Sequence, residues 1–94
     1  MSTIPELQTT HDSRELERWL IARLARSLNV EADQIDLHEP FLRYGLDSVE
    51  SVRISADLED WLGFRVDRLL LEFPDAASFL AYVSDELVRR GARP

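Results

Sequence analysis

A single serine, Ser48, lies where the sequence predicts the start of a helix. It follows Gly45 and Asp47 and precedes Glu50. Asp47 and Glu50 have the spacing of a capping box, in which an acidic cap and a glutamate three positions later satisfy free backbone N–H groups. If Asp47 caps the helix, the Ser48 hydroxyl lies in the first turn and is not consumed by capping. The helix dipole there favours a phosphodiester, by about 0.3–1 kcal/mol at an exposed position.

The predicted helix that follows Ser48 carries two apolar strips. At 100° per residue its core face comprises Ser51, Ile54, Leu58, Trp61 and Leu62. The opposite strip comprises Val49, Val52 and Ala56. It lies among the charged residues Arg53, Glu59 and Asp60. Small exposed hydrophobic residues ringed by charge are typical of a docking surface. We therefore predict that this strip contacts partners together with the charged residues Glu50, Arg53, Glu59 and Asp60. The alternative is cover by the preceding loop, most of all over Val52.

The same residues leave other interpretations open. An Asp-Ser pair at a helix start is a common cap, so Asp47 and Ser48 could serve structure alone. A hydrolase nucleophile is disfavoured, because Gly45-x-x-Ser48 does not match the Gly-x-Ser-x-Gly elbow. Neither His11 nor His38 is placed by the sequence to act as its base. An acidic helical adaptor that binds a partner without being modified stays open.

The chain contains no cysteine, which excludes disulfides and zinc sites built from thiolates. With two histidines in all, a histidine-rich metal site is implausible. Any thioester chemistry therefore requires a thiol brought in from outside the polypeptide. No residue set looks able to catalyse a reaction, and we expect the protein not to be an enzyme.

The acidic charge is concentrated in one segment. Residues 29–60 contain nine acidic residues against two arginines, which equals the whole formal net charge of −7. This distribution disfavours nucleic acid and anionic membranes as partners. It favours a basic protein surface, reached with electrostatic steering. On charge alone, a merely solvated acidic face is an equal alternative.

The first amphipathic segment predicts a helix that starts at Arg14. Ser13 is its expected N-cap, and Asn29 is expected to end it in left-handed geometry. The apolar stripe repeats every four residues and comprises Leu16, Leu20, Leu24 and Leu28.

Two further long helices are predicted later in the chain. One runs from about Ser48 to Leu62 and stops at Gly63. The last begins around Ala76 behind Asp75, its candidate cap. Its apolar stripe comprises Ala76, Phe79, Leu80, Val83 and Leu87.

The connections complete the predicted fold. Val30–Gly45 is a long loop that contains Pro40, and its apolar residues predict that it packs along the domain: Val30, Ile35, Leu37, Phe41 and Leu42. Phe64–Phe73 is expected to hold a brief additional helix. The fold class is therefore all-α, a small four-helix bundle of three long helices and one short helix with a long first loop.

The length of 94 residues supports one domain. We predict a flexible extension over residues 1–13, a folded domain over 14–90 and a tail over 91–94. No apolar run approaches the roughly 18 residues that span a bilayer. The first residues do not resemble a secretory signal. We expect a cytoplasmic monomer that is free-standing, and a piece of a larger synthase is the alternative.

The stretch Gly45–Val49 resembles the attachment motif of acyl carrier proteins, usually a glycine, an apolar residue, Asp, Ser and Leu. The similarity continues through Asp57–Gly63 and Glu72–Asp75, and covers roughly residues 16–87. The sequence as a whole is more similar to the carriers of modular polyketide synthases than to the carriers of fatty-acid synthesis. The stretch Leu58–Gly63 also resembles carriers that work beside fatty-acyl-AMP ligases.

This resemblance implies a function and a cofactor. Ser48 would carry a covalent 4′-phosphopantetheine arm, attached by a phosphopantetheinyl transferase, and Asp47 would organise the helix start. The arm would hold an acyl group as a thioester. The implied partners are the transferase, a loading enzyme (a fatty-acyl-AMP ligase or an acyltransferase) and a ketosynthase or other acyl-processing enzyme.

Two positions depart from the family pattern. Val49 replaces the usual leucine, and Arg53 stands where carriers of fatty-acid synthesis usually have glutamate. The arginine argues against the general partners of fatty-acid synthesis. Peptidyl carriers more often have Gly-Gly-His/Asp-Ser, which disfavours an aminoacyl or peptidyl carrier of nonribosomal peptide synthesis but leaves it as the alternative.

Overall fold

The computed structural model describes residues 11–91, and this range forms a helical bundle. Its α-helices are α1 (Ser13–Leu28), α2 (Phe41–Tyr44), α3 (Ser48–Leu62) and α4 (Ala76–Arg89). Two 3-10 turns span Ala32–Gln34 and Leu70–Glu72. No β-strand occurs in the described range, where the sole strand-like feature is an isolated bridge between Pro40 and Asp75. The predicted all-α fold with three long helices and one short one is confirmed.

The three long helices bury their predicted apolar stripes in one core. Leu16, Leu20 and Leu24 of α1 are fully buried. The core residues contributed by α3 and α4 are Ile54, Leu58, Leu62, Ala76, Phe79, Leu80, Val83 and Leu87. This burial is the main favourable contribution to folding, at about 25 cal/mol for each Å² of apolar surface removed from water.

The helix ends follow local chemistry, with one correction. Asn29 adopts left-handed geometry with φ 58°, and Gly63 does the same with φ 85°, as predicted. Asp75 caps α4 by accepting a hydrogen bond from the Ser78 N–H at 2.9 Å. The prediction of Ser13 as the cap of α1 is wrong. Asp12 is the N-cap and forms a complete capping box with Glu15, because Glu15 can bond back to the cap whereas Leu16, the third residue after Ser13, has no side-chain acceptor.

The first connection is not a plain loop. It contains the 3-10 turn at Ala32–Gln34 and the single-turn helix α2. Phe41 is buried, but Leu42 is 92% exposed and Val30 is 38% exposed. The predicted packing of the loop along the domain is confirmed by Phe41 in the core and by Ile35 and Leu37 packed against it, whereas Val30 and Leu42 are exposed. One turn of helix directs successive side chains to different sides, so Phe41 fills the core while its neighbour faces solvent.

Hydrogen bonds fasten this connection to the bundle. The Phe41 N–H donates to the Pro74 carbonyl at 2.9 Å, and the Ala77 N–H donates to the Leu37 carbonyl at 2.9 Å. The Tyr44 hydroxyl donates to the Asp36 carbonyl at 3.0 Å and accepts from the same residue's N–H at 2.7 Å. The connection therefore holds α2 beside the start of α4 and leads directly into α3.

The short element predicted within Phe64–Phe73 is present as the 3-10 turn at Leu70–Glu72. Of the predicted terminal segments, residues 1–10 and 92–94 lie outside the described range. The part of the extension that is described belongs to the fold, because the His11 ring stacks on Trp61 at a centroid distance of 3.7 Å. None of the described helices combines the length and the apolar character needed to cross a membrane.

Candidate functional site

Ser48 is held by a capped turn at the start of α3. Gly45 adopts left-handed geometry with φ 71°, which turns the chain out of α2. Leu46 is buried and anchors the turn in the core. The Asp47 carboxylate then accepts a hydrogen bond from the Glu50 N–H at 2.8 Å, as predicted for the cap. Ser48 is consequently the first residue of α3.

The Ser48 side chain is placed to react with an external group. The residue is exposed, and no described residue forms a hydrogen bond with its hydroxyl. The first N–H groups of a helix and the positive end of its dipole lie beside this position. The geometry therefore offers a solvent-facing hydroxyl in a setting that favours an attached phosphate.

The predicted capping box at Asp47 is only half formed. The Glu50 carboxylate does not return to the backbone of the cap. It accepts a hydrogen bond from the Ser27 hydroxyl at 2.5 Å and contacts the Arg23 guanidinium at 3.4 Å. The Ser27 hydrogen bond and the positive charge of Arg23 lower the pKa of Glu50. The box fails because α1 supplies hydrogen-bond donors that the local sequence does not reveal.

Arg23 joins α1 to the α3 helix that carries Ser48. Its side chain is only 11% exposed and reaches two carboxylates on α3. The Nε donates to Asp57 at 2.9 Å, and a terminal nitrogen contacts Glu50 and donates to Ser27. The sequence gives no sign of this cluster, because Arg23 lies off the apolar stripe of α1 and its two carboxylate partners lie 27 and 34 residues away.

The predicted partner strip of α3 faces solvent. Val49 is 61% exposed and Val52 is 51% exposed. The alternative, in which the preceding loop covers Val52, is therefore excluded. Arg53, Ala56 and Asp60 are exposed on the same helix.

Two predicted partner residues have internal roles. Glu50 is engaged by α1, and the Glu59 carboxylate accepts a hydrogen bond from the Val66 N–H at 2.7 Å. Two more side chains of α3 accept hydrogen bonds from the backbone of the following segment. The Ser51 hydroxyl accepts from the Leu71 N–H at 3.2 Å, and the Ser55 hydroxyl accepts from the Leu70 N–H at 3.1 Å. These side chains recur every four residues, so one edge of α3 binds the segment that follows it.

Two exposed leucines were not predicted as surface residues. Leu42 on α2 is 92% exposed, and Leu69 before the second 3-10 turn is 42% exposed. Leu42 gives no periodic signal because α2 has four residues. Apolar residues in a short interrupted segment can be buried or exposed, and the tertiary fold decides which.

Comparison with known proteins connects this geometry to a family. The profile of the family described as "Phosphopantetheine attachment site" matches residues 18–83. That range includes all of α3 and therefore Ser48. The chain belongs to the phosphopantetheine-binding carrier protein family. A curated relative is the acyl carrier protein TtuC of Teredinibacter turnerae, 33% identical over 66 residues, which cover 70% of this chain and 76% of that protein.

Two other similar proteins are described as a peptidyl carrier protein and a nonribosomal peptide synthetase. The crystal structure of a free-standing peptidyl carrier protein, from an uncharacterized secondary metabolic pathway of Acinetobacter baumannii, superposes with a TM-score of 0.72 at 30% identity. The superposed region covers 81% of this carrier and 96% of the Acinetobacter baumannii chain. The nonribosomal peptide synthetase apvA of Aspergillus terreus is 39% identical over 49 residues, which are 52% of this chain and 5% of the synthetase.

The residues around Ser48 fit the 4′-phosphopantetheine group that the family carries covalently. The serine supplies an exposed hydroxyl without a hydrogen-bond partner among the described residues. Ser48, Val49, Val52 and Arg53 line one open depression on the surface of the carrier. This depression offers an apolar floor and one cation to an arm that begins with a phosphate. No cluster of the described residues is suited to hold a metal ion.

Proposed function

We propose that this carrier holds acyl intermediates as thioesters on a 4′-phosphopantetheine arm at Ser48. It presents them to enzymes of polyketide or fatty-acyl biosynthesis and catalyses no step itself. The observation that carries the proposal is the exposed Ser48 hydroxyl at the Asp47-capped start of α3, inside the region that matches the attachment family.

The residues of the carrier have distinct parts in this function. The Ser48 oxygen is the nucleophile that a phosphopantetheinyl transferase directs at the pyrophosphate of coenzyme A. The serine loses its proton, the P–O–P bond breaks, adenosine 3′,5′-bisphosphate leaves, and a phosphodiester remains on the serine. Asp47 keeps the serine in the first helical turn by binding the Glu50 N–H. Because the chain contains no cysteine, the thiol at the end of the arm is the site for the acyl thioester.

The exposed strip of α3 is the proposed contact surface for the transferase, the loading enzyme and a ketosynthase or other acyl-processing enzyme. Val49, Val52 and Ala56 supply small apolar contacts, while Arg53 and Asp60 supply charge. The acidic segment at residues 29–60 favours partners with basic contact surfaces. Truncating Val49 or Val52 would weaken partner binding with little effect on the fold, because both side chains are more than half exposed.

A loading assay distinguishes an acyl from an aminoacyl cargo. The modified carrier is incubated with ATP and a panel of fatty-acyl-AMP ligases with fatty acids, or with acyltransferases and acyl-coenzyme A. A parallel panel of adenylation enzymes is given amino acids. We expect acyl thioesters on the arm, released by hydroxylamine, and no addition to Ser48→Ala. Loading by amino acids alone would establish the peptidyl alternative, which the structural similarity to the Acinetobacter baumannii protein favours.

A further inference from the structure

Arg53 is an exposed cation beside the modification site. It is the single basic residue of α3. No described carboxylate forms an ion pair with it, although Glu50 and Asp57 occupy the positions three before and four after it on the helix. Acidic residues at this spacing on a helix are normally close enough to pair with an arginine.

Arg23 explains why Arg53 has no ion pair. The Arg23 guanidinium reaches across from α1 and takes both carboxylates, Asp57 at 2.9 Å and Glu50 at 3.4 Å. It is mostly buried, so its ion pairs are better shielded from water than an exposed pair with Arg53 would be. The two carboxylates are therefore drawn towards α1. After the Ser27 hydrogen bond and Arg23, the charge of Arg53 also lowers the pKa of Glu50, but Arg53 forms no ion pair with that carboxylate. Its guanidinium therefore keeps its N–H donors available to another anion.

The position of Arg53 points to the anion it meets. Arg53 and Ser48 line the same open depression, together with Val49 and Val52. Long side chains on a helix lean towards its N-terminus, which directs the Arg53 guanidinium towards the turn that holds Ser48. A phosphodiester on the Ser48 oxygen would introduce a negative charge into this same depression.

We propose that Arg53 binds the phosphodiester that joins the arm to Ser48, an inference that rests on the proposed carrier function. The planar guanidinium matches phosphate oxygens with paired N–H donors. The contact holds the base of the arm against the apolar floor formed by Val49 and Val52, along the exposed face of α3. Arg23 is a positioning residue in this arrangement, because it removes the competing carboxylates Glu50 and Asp57.

The test compares the carrier before and after modification. Wild type, Arg53→Gln, Arg53→Lys and the control Arg65→Gln are each converted with coenzyme A and a broad-specificity transferase, and intact mass confirms the product. Arg65 is exposed and forms no ion pair within the described residues, so its variant removes the same charge elsewhere. The readouts are the ³¹P resonance of the modified protein and the difference in Tm between modified and unmodified forms.

We expect Arg53→Gln to move the ³¹P resonance, and Arg65→Gln to leave it at the wild-type position. The gain in Tm on modification should be smaller in Arg53→Gln by about 1–5 °C, as for an exposed ion pair in a domain of this size. High salt should remove that difference between wild type and Arg53→Gln. Arg53→Lys should retain part of the gain in Tm that wild type shows on modification. Arg23→Met should move the ³¹P resonance in the direction of Arg53→Gln, because it releases the two carboxylates to Arg53.

Identical ³¹P positions and equal gains in Tm for wild type and Arg53→Gln would overturn the proposal. A variant that changes only the rate of the transferase, with both readouts unmoved, would also overturn it, since Arg53 would then contact the partner protein. Failure of every form to gain the mass of the arm would overturn the carrier function and this proposal together. The mass measurement therefore separates the two failures.

Discussion

At the scale of single residues, the accessibility of Ser48 depends on its neighbour Asp47. The aspartate carboxylate satisfies the Glu50 N–H at 2.8 Å, so the serine hydroxyl is not needed as a cap. This relation depends on residues three positions apart, and the sequence alone was sufficient to predict it. The second hydrogen bond of the predicted box, from the Asp47 N–H to the Glu50 carboxylate, is not formed. Glu50 binds Ser27 instead, and a residue 23 positions away could not be foreseen from the local pattern.

Replacing Asp47 by alanine should affect both stability and modification. Loss of the cap is expected to cost about 1 kcal/mol and to lower the Tm by about 4–8 °C. The rate of phosphopantetheine transfer should fall as well, because the first turn that holds Ser48 frays. Differential scanning calorimetry and a transfer assay measure the two effects.

Asp12→Ala is the matched control, because Asp12 caps α1 with the same chemistry. It should lower the Tm by a comparable amount and leave the transfer rate close to wild type at a temperature where both variants are folded. Equal losses of transfer rate in the two variants would contradict a local role for Asp47.

At the scale of elements, two sets of side chains fix α3 to its neighbours. Arg23 and Ser27 bind one edge of α3 to α1 through Glu50 and Asp57. Ser51, Ser55 and Glu59 bind the other edge to the backbone of residues 66–71. The exposed strip lies between these two edges, which is why its residues face solvent.

The Glu50 contact should make stability depend on pH. The Ser27 hydrogen bond and Arg23 lower its pKa in the folded state, so the contact stabilises the fold above the ordinary value of 4.5. The contribution is lost as the pH falls through the folded-state pKa. Urea unfolding should show wild type more stable than Glu50→Gln at pH 7, with the difference shrinking as the pH is lowered below about 4.5.

Glu17→Gln controls for the general effect of removing an acid from the surface. Glu17 is exposed on α1 and has no ion pair among the described residues. Its stability difference from wild type should change little over the same pH range. A Glu50→Gln difference that stays constant with pH would contradict the assigned network.

Ser55→Ala tests the opposite edge of α3. The Ser55 hydroxyl is buried and accepts the Leu70 N–H at 3.1 Å, so its removal leaves a buried donor without a partner. The expected cost is about 1–3 kcal/mol in urea unfolding, with faster hydrogen exchange at the Leu70 amide. Ser84→Ala on α4 is the control, since no described residue bonds its hydroxyl, and it should change stability by less than about 0.5 kcal/mol. Unchanged hydrogen exchange at the Leu70 amide would contradict the hydrogen bond between Leu70 and Ser55.

The long helices could be predicted from the sequence because periodicity and caps are local properties. The stripe of α4 and the ends at Asn29 and Gly63 all follow from short-range patterns. α2 could not be predicted in the same way, because a four-residue helix contains little more than one turn and shows no period. The exposure of Leu42 depends on how that turn docks, which is a tertiary property.

At the scale of the whole molecule, the acidic segment at residues 29–60 contains Ser48, the proposed attachment site. Arg23 offsets part of the segment's negative charge within the fold by binding Glu50 and Asp57. Asp60 is exposed at the far end of α3 and forms no ion pair with a described residue. It is therefore available to a basic partner surface, with the steering that such complementarity provides.

Asp60→Asn should raise the KM for a basic transferase about two- to fivefold at low salt, the size expected for one exposed charge pair. The effect should shrink in high salt, because exposed pairs are screened. Asp67→Asn removes the same charge from an exposed position outside α3 and should leave the KM nearly unchanged. Equal effects of the two variants would indicate that net charge, and not the α3 face, determines recognition.

The most direct test of the carrier function is the intact mass of the protein after incubation with coenzyme A and a broad-specificity transferase. The structure predicts one added phosphopantetheine group on the wild-type chain. It predicts none on Ser48→Ala, with Ser51→Ala and Ser55→Ala still modified because those hydroxyls are buried. A wild-type mass that does not change, or an addition that persists in Ser48→Ala, would contradict attachment at Ser48.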